Sequence, residues 1–161
     1  MKTERNFDEL EVKVRATIRA CREDDLPALE WMGLYSRHRG IIRETFEAQQ
    51  RGDALMLLGV TAGFPIAQVW ISFKRHSSLA TLWAVRTFHP LQGAGIGKRM
   101  MRAAERAIAR RGIARAELEV DDDNQEVLGF YRQLGWQVVR RPEERSGKSD
   151  RFLLAKEITA H

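Results

Sequence analysis

The alternation of apolar and charged residues in Val12–Ala20 (VKVRATIRA) predicts a β-strand with one buried face. In CREDDLPALEWM, which follows, Asp24 or Asp25 can cap a helix whose first turn tolerates Pro27. A second helix is expected over about Arg43–Arg51, stopped at Gly52. ALMLLGVTAG and FPIAQVWISFKR read as two strands of an antiparallel hairpin joined by a Gly-Phe-Pro turn. LATLWAVRTF predicts a third strand, leading through His89-Pro90 into the glycine-rich LQGAGIGKRM. Beyond the glycines, IGKRMMRAAERAIARRG has helical periodicity, with Met100, Met101, Ala104, Ala107 and Ile108 inward and a stop at Arg110, Arg111 and Gly112. ARAELEV is a further strand and NQEVLGFYRQLG a short helix. WQVVRR and RFLLAKEI close the chain as strands on either side of the polar loop PEERSGKSD. No repeat or linker interrupts the pattern. It therefore predicts one mixed α/β domain over residues 12–161, after a short tail at 1–11.

Composition narrows the class of protein. A chain of 161 residues, 43% hydrophobic and 30% charged, can build one ordinary core. No apolar run approaches the roughly 20 residues of a membrane helix, and the charged start MKTERNFDELEVKV lacks the apolar segment of a secretory signal. The single cysteine, Cys21, cannot close an internal disulfide, so a cytoplasmic location is expected. A formal charge of +5 suggests an anionic ligand without saying which. Arg99, Arg102, Arg106 and Arg110 form a basic stripe that reads as solvated helix charge. No base-stacking or base-contacting groups accompany it, so no nucleic-acid partner is expected. Trp70, Trp83 and Trp136 read as core residues. No His, Cys or carboxylate cluster has metal-ligand spacing, so no metal is expected.

The glycine stretch is where chemistry enters. Glycines after a strand let the main chain approach a ligand closely, and the start of the following helix offers unpaired N–H groups and partial positive charge. Three glycines ahead of Lys98 therefore predict an anion site suited to phosphate or pyrophosphate. A P-loop is excluded, because position 92 is Gln and Arg99 stands where the magnesium-binding hydroxyl is required. The spacing Gly93, Gly95, Gly97 also departs from the dinucleotide fingerprint. Glu117 or Glu119 nonetheless stands at a ribose-contact distance in sequence, which keeps a nucleotide-dependent oxidoreductase as an alternative.

Gln92-Gly93-Ala94-Gly95-Ile96-Gly97 resembles the acetyl-coenzyme A signature of the GNAT N-acetyltransferase superfamily. DNQEVLGFYRQLGW resembles the family's next block, and the order of elements agrees over residues 14–158. The resemblance implies a mixed, mostly antiparallel sheet flanked by about four helices, with a splayed strand pair holding the cofactor. It implies transfer of acetyl from acetyl-coenzyme A to a primary amine by direct attack, the acceptor being a small molecule or a peptide. A non-catalytic acyl-coenzyme A sensor is the main alternative. Neither the acceptor nor a homodimer is decided by the sequence.

The same resemblance implies residue roles. Main-chain N–H groups along Gln92–Lys98 (Gln92, Gly93, Ala94, Gly95, Ile96, Gly97, Lys98) would hold the pyrophosphate, with Arg99 adding charge. Arg86, Thr87 and Phe88 would lie beside the thioester, where an N–H aimed at the carbonyl would stabilise an oxyanion, and Asn124 would meet the cofactor arm. Tyr131 is the expected general acid, because a phenol keeps its proton at neutral pH and can protonate a leaving thiolate. Glu119 is the candidate base, acting through water; a salt-bridged strand residue is the competing reading. His89 reads as a loop residue. Trp31, Tyr35, Arg37 and His38 would border the acceptor. Cys21 lies too far in sequence from both motifs to suggest a covalent route.

Overall fold

The computed structural model describes residues 6–30, 40–73, 78–121, 125–142 and 151–159. Strands β1 (Thr17–Ala20), β2 (Ala54–Thr61), β3 (Phe64–Phe73), β4 (Leu79–Thr87), β5 (Arg115–Asp121), β6 (Gln137–Arg140) and β7 (Arg151–Glu157) form a single sheet. Their order is β1-β2-β3-β4-β5-β7-β6. Every neighbouring pair is antiparallel except β4–β5. The helices are α1 (Leu26–Leu29), α2 (Gly40–Gln50), α3 (Ile96–Arg110) and α4 (Gln125–Gln133).

Two cores sandwich the sheet. Val69, Ile71, Leu82 and Leu118 face Met100, Met101, Ala104 and Ile108 of α3 and Leu128 and Tyr131 of α4. Met56, Leu58 and Trp70 face Leu26 and Leu29 of α1 and Ile42 and Phe46 of α2. β2 and β3 are covered on both sides, which is why their sequences are nearly continuous apolar runs. Trp70 and Trp136 are core residues, as expected, and Trp83 packs edge-on against Trp70. Arg111, just past α3, lies 3.7 Å over the Phe73 ring and donates to the Gly52 carbonyl at 2.8 Å, fixing the helix end to the sheet.

Three local expectations are corrected. The first strand pairs only over Thr17–Ala20, although the alternation begins at Val12. The β2–β3 turn is Ala62-Gly63, both with positive φ, and Phe64 and Pro65 already belong to β3. Asp25 does not cap α1 with its side chain. Its carboxylate instead accepts from Arg19 Nη1 at 2.7 Å, Arg19 Nη2 at 2.9 Å and the Arg22 N–H at 2.7 Å.

That ion pair carries a stability prediction. The Arg19 guanidinium is the main cause holding the buried Asp25 carboxyl below its usual range, aided by the Arg22 N–H and opposed by burial. Asp25→Asn is expected to cost about 3 kcal/mol, because it leaves Arg19 partly buried without its counter-charge. A depressed carboxyl stabilises the fold fully above its unfolded value and loses that contribution as pH falls through the folded one. Urea melts between pH 2 and 6 should therefore show a steeper acid decline for the native chain than for the variant.

Candidate active site

β4 and β5 are paired only at their beginnings, from Leu79↔Arg115 to Leu82↔Leu118. β4 continues to Thr87 and β5 to Asp121 without further pairing between them, so a gap opens between the two strands. A bulge marks the parting point. Ala84 and Val85 stand opposite the single residue Val69, between the pairs Trp70↔Trp83 and Gln68↔Arg86. Ala84 has φ 51°, a conformation that is strained for a residue with a side chain. Past the bulge, Phe88 N–H donates to Ile66 O at 2.7 Å. Strand alternation then turns the main chain of Thr87 and Val85 toward the gap.

The glycine stretch closes one end of this gap. Gln92 and Ala94 N–H donate to the His89 and Leu91 carbonyls at 3.1 and 3.4 Å. The N–H groups of Gly93, Gly95, Ile96, Gly97 and Lys98 have no protein acceptor among the described residues. Gly95 caps α3 with φ 82° and no side-chain cap, and the first turn of the helix holds no acid. A Cβ on Gly93 or Gly95 would meet nothing within 4 Å. The concavity is thus open, rich in donors and flanked by the exposed Lys98 and Arg99, a fit for a pyrophosphate. Gly97 serves a different end, since a Cβ there would lie 3.4 Å from Phe130 Cζ and 3.9 Å from Thr87 Oγ1. Gln92 contributes its side chain, with Nε2 donating to Thr87 O at 3.3 Å and bracing the loop against β4.

Phe130 therefore joins the start of α3 to α4, and Tyr131 is next to it, their rings 5.2 Å apart. The Tyr131 ring packs against Trp136 at 6.2 Å and is 5% exposed. Burial pushes its phenol up to about 12.

A match to the acetyltransferase (GNAT) family spans residues 15–136. The chain belongs to that family. It is an acyltransferase, and acetyl-coenzyme A is its acetyl donor. No curated protein is matched. This acetyltransferase shares its fold with PaiA N-acetyltransferase from Thermoplasma acidophilum, solved in complex with coenzyme A (TM-score 0.69, 21% identity, covering 89% of this chain and 99% of that one). A second neighbour is the ribosomal-protein-S18-alanine N-acetyltransferase from Escherichia coli (0.73, 21%, 91% and 96%). A third is an aminoglycoside 6'-N-acetyltransferase complexed with coenzyme A (0.72, 16%, 90% and 98%).

The remaining expected residues of the acetyltransferase fall as follows. Glu119 points away from Leu118 and Val120, which are buried against α3 and α4, and it is exposed. Its oxygens lie 3.6 Å from Arg140 Nη2 and 3.5 Å from Arg151 Nη1. Val85 packs into the α3 side and Ala84 into the α1/α2 side, so alternation sets the Arg86 side chain on the α1/α2 face, away from the glycine loop. Its main chain pairs with Gln68 of β3, so neither its side chain nor its backbone polar groups face the gap. Asn124, Trp31, Tyr35, Arg37 and His38 lie outside the described residues.

Two features escape sequence reasoning. One is the bulge, whose only trace is the unbroken apolar run Leu82-Trp83-Ala84-Val85, which breaks the alternation of β4. The other is Gln68, in register with Arg86, 1% exposed, with neither side-chain polar atom hydrogen-bonded. A sealed amide without partners is costly, and a lone Gln within the apolar run IAQVWI is its sequence signal.

Proposed function

We propose that this acetyltransferase moves acetyl directly to a primary amine held on the α1/α2 face, without an acetyl-enzyme stage. The observation that carries this reading is the donor-lined gap between β4 and β5, with the Gly93–Lys98 N–H groups at one end and Tyr131 beside them. Acetyl-coenzyme A brings the acetyl group as a thioester already activated toward amines. The free N–H groups of the glycine stretch hold the pyrophosphate, and the main chain of Val85 and Thr87 aligns the arm. The bulge at Ala84 turns main-chain donors toward the carbonyl oxygen, where negative charge develops as the amine attacks. Tyr131 then gives its proton to the sulfur as the carbon–sulfur bond breaks.

Glu119 receives the amine's proton through water. Its two arginine partners hold the carboxylate in place, and sharing an oxygen with that water requires one of them to loosen. Arg86, exposed on the acceptor face, supplies a cation to the group that carries the amine. Gln68, sealed in register with it, offers its unpaired amide to that group once the side chains covering it move aside. Gln68→Met is expected to raise the acceptor KM about tenfold, while acetyl-coenzyme A affinity and melting temperature do not fall. Unchanged KM values would remove Gln68 from the acceptor site.

Cys21 supports the direct route. It is buried, its thiol donates to Arg22 O at 3.4 Å, and burial, with Asp25 adding, pushes it up to about 12. Such a thiol yields almost no thiolate at neutral pH. Initial rates against both substrates should give intersecting lines, and Cys21→Ser should keep kcat within about twofold. Parallel lines, or acetylated protein in a mass spectrum after mixing with acetyl-coenzyme A alone, would overturn direct transfer.

A further inference from the structure

The segment before β1 has a clear strand pattern and no strand partner among the described residues. Leu10, Val12 and Val14 recur at every second position, with Glu9, Glu11, Lys13 and Arg15 between them. The alternation continues into β1, where Ile18 joins the core. Yet β1 starts at Thr17, opposite Val60, and β2 turns one residue later, after Thr61. The sheet has therefore run out of strand for the residues that precede Thr17. Leu10, Val12 and Val14 stand 75%, 71% and 52% exposed, and Phe7 is fully exposed. None of Glu9, Glu11, Lys13 and Arg15 forms an ion pair among the described residues. A half-apolar segment with strand periodicity left in water is an unfavourable arrangement and is ready to pair.

The charge sequence says what fits it. We propose that the occupant is the same segment of a second copy, paired antiparallel about a two-fold axis through Val12. In that register Glu9 faces Arg15, Leu10 faces Val14, Glu11 faces Lys13 and Val12 faces itself. All apolar side chains then share one face, and every charge on the other face meets its opposite. The neighbouring registers fail. A shift of two in one direction sets Lys13 against Lys13, and in the other Glu11 against Glu11. A shift of one sets apolar residues against charged ones. Parallel pairing opposes each charge to itself. The interface is isologous, as a closed dimer requires. Because a two-stranded ribbon is only marginally stable, the dimer is expected to dissociate on the order of 10 µM.

Sedimentation of the full chain tests this directly. The native protein should shift with concentration from 18.5 kDa toward twice that mass. Glu11→Lys sets like charges opposite each other and should weaken association at least 30-fold, and adding Lys13→Glu should restore it to within about threefold. Val12→Cys should form an intermolecular disulfide under mild oxidation far faster than Lys13→Cys, because only position 12 meets itself. The native Cys21 is buried and should not compete. Each substituted side chain is exposed or lies in an unpaired segment, so melting curves at low concentration should not change. A monomer at several hundred micromolar would overturn the proposal. So would a dimer indifferent to Glu11→Lys, which would place the interface elsewhere, or equal cross-linking at positions 12 and 13.

Discussion

Tyr131→Phe is expected to lower kcat about 100- to 1,000-fold while leaving the affinity for acetyl-coenzyme A nearly intact. The magnitude is that of losing one positioned general acid. The ring is what packs against Phe130 and Trp136, and phenylalanine keeps it, so the fold should survive. Burial pushes the phenol up to about 12, so it stays protonated through any practical assay. The kcat profile of the native enzyme should rise with pH as the amine loses its proton, with no descending limb from Tyr131 below about 11. Buried in its neutral form, this group stabilises the fold fully below its unfolded pKa. That contribution fades as pH climbs from about 10 toward 12. Alkaline melts should show that decline in the native chain and less of it in the variant. A kcat reduced less than fivefold would remove Tyr131 from the chemistry.

Gly95→Trp should abolish detectable binding of acetyl-coenzyme A, at least a 100-fold loss by calorimetry. Two effects combine there, and Gly95→Ala separates them. With φ at 82°, any side chain strains the main chain by about 1 kcal/mol. The alanine variant suffers that strain, but its methyl group meets nothing within 4 Å, so it should bind within about tenfold of native. The indole adds bulk where the pyrophosphate would lie against the Gly93–Lys98 donors. If tryptophan is tolerated, the stretch is only a structural turn and the anion site lies elsewhere.

Much of this was legible in the chain. The amphipathic periodicity of α3 and the alternation of β5 placed those elements closely, because one buried face per element leaves a simple period. The glycine stretch announced its donors through composition alone. What stayed hidden depended on partners distant in sequence. The short pairing of β4 with β5 is invisible locally, since either strand would suit a full-length neighbour. Periodicity gave Val12–Ala20 as one strand, but it could not show that β2 ends one residue past Val60, the partner of Thr17. Asp25 looked like a helix cap because short acids before a helix usually are; Arg19, only six residues earlier on β1, claimed it through the turn that brings the strand end against the helix start. Gln68 looked like one polar letter in an apolar run, and its burial follows from helices packed on both sides of β3.

The four register pairs from Leu79 to Leu82 hold the two halves of the sheet together like a weld at one end of two beams. Beyond the weld, β4 stays on β3 but has no partner on its β5 side for five more residues, Trp83 to Thr87, so the half-sheet extends past the weld as a lever of about 16 Å. A small rotation at the weld is magnified along that lever before it reaches the mouth where the substrates meet. The width of the mouth is therefore set by residues that touch neither of them, and repacking Ala80 or Leu82 against Ala116 and Leu118 would tune it from a distance.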